Sequence, residues 1–181
     1  MKPLRSLLCA VFGAAAITGC SNQPIPLAAH VDLDRYAGRW FIIANIPYFA
    51  ERGKVGSSFD LAFQGDKVTD IYTGYKSFGA KPTVFTLHGK MDPGTNNAEW
   101  HEGPFWPLSF PYPIVYVDPD YRTALVGYPD RKYGWVLARS PAMDDATYQT
   151  LLSRFAAIGY DTSQFRRVPQ TPAEIGQPGY Q

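Results

Sequence analysis

The chain has 181 residues, 15% of them aromatic and 18% charged; that length suits one domain with a sizeable core, and the composition is too apolar for disorder. The formal charge is +1, with no basic patch to hold nucleic acid or to steer the chain to anionic lipid. The two cysteines are Cys9 and Cys20, so the rest of the chain has no disulfide, thiolate nucleophile or Cys-x-x-Cys metal knuckle.

The first element in chain order reads as an address. Lys2 and Arg5 precede an apolar run over 7–16, and small residues follow. Residues 1–19 therefore read as a secretory signal, too short to span a bilayer, which takes about 20 apolar residues. Ile17-Thr18-Gly19-Cys20 resembles a bacterial lipobox, in which the cysteine is acylated and becomes the mature amino terminus. Gly19 fits, while Ile17 stands where leucine is commoner. The alternative is an ordinary signal peptide that happens to end in a cysteine. Loss of 1–19 leaves 15 basic against 16 acidic residues. Residues 20–31, with Pro24 and Pro26, read as a lipidated tether. Two or more acyl chains, at about 0.8 kcal/mol per buried CH₂, hold a protein durably at a membrane. Ser21 stands where an aspartate, by resemblance to sorted lipoproteins, argues for inner-membrane retention. It therefore implies the outer membrane, facing the periplasm.

From 38 to 139 the chain reads as short strands parted by Gly, Pro, Asp and Asn. Trp40, Ile42, Ala44 and Ile46 alternate on one face of the first strand, and Phe59, Leu61 and Phe63 on one face of the second. A turn at 64–67 leads to a third over 68–73. The next five fall over 83–91, 98–102, 114–117, 122–128 and 133–139. Eight strands with short links and no helical pattern between them make an antiparallel meander, which removes its exposed edges by closing into a barrel. A barrel of about eight strands is wide enough for one small ligand. The period then changes: Tyr148, Leu151, Leu152 and Phe155 form one helical stripe, with Asp144 as N-cap and Gly159 as the left-handed terminator. The domain is expected over 32–168, and 169–181, rich in Pro and Gly without period, as a flexible tail.

The inward candidates Ile42, Ala44, Phe59, Leu61, Tyr116, Trp135 and Leu137 either line a ligand pocket or fill the core of a closed barrel. At about 25 cal/mol per Å² of apolar area, an acyl chain binds at micromolar strength without charge pairing. Tyr72 and Tyr116 are candidate polar handles. The run 105–110, in a stretch with four prolines between 104 and 113, is read as unpaired and exposed, suited to a membrane or partner; folded inward it narrows the pocket. His30, His88 and His101 are scattered, and no Gly-x-Ser-x-Gly elbow or phosphate-cradling loop occurs, so no catalytic or metal set is assigned. Asp70 reads as an exposed strand acid; an enzyme would turn it inward as a base.

Three segments resemble the signatures of the lipocalin family, in their order and spacing. The first is Gly38-Arg39-Trp40 within 34–44, the second Asp118-Pro119-Asp120-Tyr121-Arg122-Thr123-Ala124-Leu125-Val126, and the third Tyr133-Gly134-Trp135-Val136-Leu137-Ala138-Arg139-Ser140-Pro141. The subgroup they resemble is that of the bacterial outer-membrane lipocalins of the Blc type, related to apolipoprotein D. The resemblance implies an all-β, eight-stranded antiparallel up-and-down lipocalin barrel with one C-terminal α-helix packed on its wall. It makes Trp40 and Arg139 a structural pair at the closed end; the rival role for Arg139 is a clamp for a ligand carboxylate. The loop 47–55 becomes a cap over the mouth, with Tyr48 and Phe49 as lid residues and Glu51, Arg52 and Lys54 wet. The implied partners are a small apolar ligand, a fatty acid or lysophospholipid, and a membrane reached through acylated Cys20, in cell-envelope maintenance. No cofactor is implied. Members of this type dimerise, and the sequence leaves the stoichiometry open. The rival readings are a lipocalin-like enzyme acting on a lipid and a surface scaffold for a protein partner.

Overall fold

Alternating apolar residues broken by Gly, Pro and Asn fold into a meander in the computed structural model, which describes residues 23–105 and 107–181. Cys20 and the signal lie outside the described residues. The strands are β1 (Gly38–Ile46), β2 (Val55–Gln64), β3 (Lys67–Tyr75), β4 (Pro82–Met91), β5 (Glu99–Phe105), β6 (Leu108–Val117), β7 (Thr123–Val126), β8 (Gly134–Ala138) and β9 (Arg166–Arg167), with helices α1 (Leu33–Tyr36) and α2 (Asp145–Ala157). Each strand from β2 to β7 pairs with the next; β8 pairs with β1, and β1 with β2. All of these pairings are antiparallel, so the eight strands close on themselves as expected and bury the edges that an open sheet would expose.

Asp144 caps α2 by accepting from the Thr147 N–H at 2.8 Å, and Gly159 follows it at φ +90°, the conformation a helix end favours in glycine. The Tyr148, Leu151 and Phe155 stripe packs on Ile43, Leu125 and Val136 of the wall, apart from the interior core around Trp40, Trp100 and Leu137. The single-turn α1 is too short to leave a period in the sequence. Asp32 caps it, accepting from the N–H groups of Asp34 and Arg35, and it carries the fully buried Tyr36 across the closed end.

Four register shifts interrupt the ladders, and two of them displace residues expected to point inward. The β1–β8 register shifts between Ile42 and Ala44, and the β6–β7 register between Ile114 and Tyr116. An extra residue in one strand turns the later side chains of that strand to the opposite face. Ala44 therefore joins the wall beneath α2, and Asn45 turns inward to meet Glu51. Tyr116 likewise faces α2, with the Arg154 guanidinium 4.0 Å from its ring centroid. Both residues are expected from sequence to line the pocket, and neither does.

The prolines do not end β6, which runs from Leu108 rather than from 114. Pro111 and Pro113 lie two residues apart, so their missing N–H groups face one edge. The Ile114 N–H serves the β5 side, donating to the Ala98 carbonyl at 2.8 Å. The proline positions thus face β7, whose ladder with β6 begins only at Ile114 and Val126. No donor is lost from a paired stretch.

The tail is also corrected. β1 pairs with β2 only from Gly38 to Phe41; beyond that the two strands part, and β9 pairs with β1 at Ala44 and Asn45. The next residues bridge the seam. The Val168 N–H donates to the Ile43 carbonyl at 2.9 Å, and the Gly56 N–H to the Pro169 carbonyl at 2.7 Å. Gln170 Nε2 donates to the carbonyls of Ile42 and Ser57. Gln181 reaches back to Asn45 and to the Gly53 N–H. Segment 169–181 is tied into the barrel because separated strand edges need partners.

Candidate functional site

Above its filled lower half the barrel encloses a cavity of about 760 Å³, within the range of small-molecule sites. Its walls come from Phe59 on β2, Tyr72 on β3, Phe85 and Leu87 on β4, Tyr112 on β6 and Trp135 on β8. The loop after β1 closes over part of it with Tyr48, Phe49, Ala50 and Glu51. Tyr48 packs against Phe49 and Tyr133, with ring centroids 4.4 and 5.7 Å away, while Phe49 stays 71% exposed at the rim.

Glu51, expected to be wet, is 7% exposed. Its carboxylate accepts from Asn45 Nδ2 at 2.9 Å and from Trp135 Nε1 at 3.1 Å. Burial pushes its pKa up to about 7, against the lowering effect of those donors. The backbone explains its direction: Glu51 N–H donates to the Tyr48 carbonyl and its own carbonyl accepts from Lys54 N–H, two successive turns that fold it inward.

The floor is aromatic and acidic. Trp100 stacks on Tyr112, with centroids 4.2 Å apart, and its indole N–H donates to Glu102 Oε2 at 2.6 Å. Asp70 is fully buried beside Glu102. Among the described residues no well-formed hydrogen bond reaches either Asp70 oxygen or the hydroxyl of Tyr36 or Tyr112. Burial first, and then the neighbouring Glu102, hold the Asp70 carboxyl protonated well above the usual carboxylate range. Burial takes Glu102 to about 7. The expectation of an exposed Asp70 is corrected: on β3 it shares a face with Val68 and Tyr72, both interior. Parity carries that signal, and equally for Glu102 two positions from Trp100.

Below the floor, Trp40 is wholly buried and donates its indole N–H to the Tyr36 carbonyl at 2.8 Å. The Arg139 guanidinium lies 3.8 Å from its ring centroid, a cation–π contact, and donates to the carbonyls of Arg39, Ala37 and Arg35. Gly38 makes room with φ +87°. Arg139 is not among the cavity residues, which leaves it no clamp role there.

The other predicted positions separate by depth. Phe59 and Trp135 line the cavity. Ile42, Leu61 and Leu137 are buried in the filled core. Of the run 105–110, Phe105 is 68% exposed, while Leu108 and Phe110 line the cavity, so the segment divides between rim and wall.

A lipocalin-like domain model matches residues 31–170. The chain is 31% identical to temperature-induced lipocalin-1 of Arabidopsis thaliana, over 80% of this chain and 83% of that protein. It is 30% identical to outer membrane lipoprotein Blc of Escherichia coli (strain K12), over 92% and 97%. Among solved structures, insecticyanin of the tobacco hornworm Manduca sexta superposes with a TM-score of 0.64 at 18% identity, over 83% and 87% of the two chains. Lobster apocrustacyanin A1 gives 0.62 at 14%, over 86% and 95%. With its closed barrel, wall helix and base pair of Trp40 and Arg139, the chain belongs to the lipocalin family.

Proposed function

We propose that this lipocalin binds, stores or transports a single-chain lipid, a fatty acid or lysophospholipid, in maintenance of the cell envelope, while anchored to the outer membrane through acylated Cys20 and facing the periplasm. Lipocalins bind small apolar ligands, and the cavity of about 760 Å³ with its aromatic walls carries the reading for this chain. About ten buried methylenes supply roughly 8 kcal/mol, the scale of a micromolar complex. Two findings support the anchor: the lipobox-like end at Cys20 and the similarity to an outer membrane lipoprotein. The tether also enters the fold at the open end. The Gln23 carbonyl accepts from Arg131 Nη2 at 3.0 Å, and Arg131 lies in the β7–β8 link between Tyr128 and Tyr133, both cavity residues.

Mass spectrometry of lipid retained by the purified protein tests the ligand. A near-stoichiometric single-chain lipid is expected; an empty protein that also fails to take up a fluorescent alkyl probe refutes the reading. Cys20→Ala should move the protein from the membrane to the soluble fraction of the envelope, and unchanged retention would refute the anchor.

A further inference from the structure

The cavity is apolar at its walls and acidic at its floor, and no cation among the described lining residues offsets that acid. Glu51 is satisfied by Asn45 and Trp135. The floor turns only to itself: Asp70 lies against Glu102 and Tyr36 against Tyr112, and among the described residues no well-formed hydrogen bond reaches either Asp70 oxygen or either hydroxyl. Among the described residues, those around the cavity include no lysine, arginine or histidine. Arg139, whose charge reaches Tyr36 and Tyr112, is held against the outer face of Trp40 by three carbonyls. Burying carboxyl groups without a donor or cation costs several kcal/mol. Apolar residues at 70 and 102 would make a simpler core. The floor lacks a positive group rich in donors, and an ammonium at the end of an alkyl chain is one.

We propose that Glu102, Asp70 and Tyr112 form a subsite that receives the ammonium group of a single-chain lipid amine entering head first. The proposal rests on the reading of the cavity as a lipid site. Glu102 and Tyr112 line the cavity, and Asp70 stands beside Glu102. An ammonium carries three donors, and the stacked Trp100–Tyr112 pair adds aromatic surface that favours a cation. The chain of the amine runs up past Phe59, Phe85 and Trp135 to the apolar mouth. A fatty acid entering head first meets like charge, and entering tail first it sets its methyl end on a polar floor.

Proton linkage gives a second signature. The titratable groups facing the acid pair are Tyr36 from α1, Tyr112 from β6 and Glu51 from the loop after β1, with Asp60 on β2 also felt. A cation seated there displaces the proton that burial retains, so amine affinity rises with pH between 6 and 8.

The test uses the delipidated full chain and a neutral fluorescent alkyl probe, displaced at pH 8 by dodecylamine, dodecanol or dodecanoate. Dodecylamine is expected to bind about tenfold tighter than dodecanoate, and to weaken at pH 6. Glu102→Gln, which keeps an acceptor for the Trp100 indole, is expected to erase that preference while the probe still binds. If this variant fails to fold, the series on the unaltered protein decides. Dodecanoate binding as tightly as dodecylamine overturns the subsite, as does loss of the preference in Glu51→Gln but not in Glu102→Gln. A probe that does not bind at all overturns the lipid reading beneath it.

Discussion

Trp40 joins three layers of the closed end: it bonds to α1, stacks under Arg139 and fills the interior core. Trp40→Ala should cost about 3–5 kcal/mol, read as the change in unfolding free energy by denaturant titration; a loss under about 1 kcal/mol would contradict its role. Glu51 makes a pH prediction. Its folded pKa of about 7 lies above the ordinary 4.5, so the folded state keeps a proton that the unfolded state has released. Stability due to this group therefore falls as pH rises from about 4.5 to 7 and is flat above, a change on the order of 3 kcal/mol. Glu51→Gln should narrow the difference in Tm between pH 5 and pH 8 by several degrees, with Glu102 and Asp70 supplying the remaining slope. Trp40 and Arg139 are legible because each stands in a motif. The acids are not, because one carboxylate on a half-buried strand gives no sign of which face it takes until its neighbours' parity is traced.

At the scale of elements, strand order and α2 are legible because their periods, 2 and 3.6, are sustained over many residues. The bulges are not: alternation through Ala44 or Tyr116 looks unbroken in sequence, and only the facing strand's register shows the slip. The tail is illegible for a related reason. Pro and Gly carry no period, yet Gln170 serves two carbonyls on strands that have separated. Gln170→Ala should strand both and cost about 1–3 kcal/mol. Hydrogen exchange should also quicken at the Gly56 and Val168 amides on either side of the seam. Unchanged exchange at both would show that the seam holds without the side chain.

For the whole molecule, the barrel and its cavity are implied by composition, strand count and edge removal, whereas the acidic end of that cavity requires three dimensions. The route of the chain into the fold has a kinetic consequence. Gln23 docks beside the opening, and three residues at full stretch separate it from Cys20 by at most about 10 Å. Under the proposed acylation of Cys20, so short a leash would hold the aperture against the leaflet that carries the acyl groups. A guest would then leave the bilayer directly for the barrel, with little exposure of its hydrocarbon to water on the way. Inserting a ten-residue Gly-Ser spacer after Ser21 should slow uptake from vesicles while leaving equilibrium affinity in solution unchanged, measured by stopped-flow transfer of a fluorescent lipid; equal rates would mean that loading occurs through the aqueous phase.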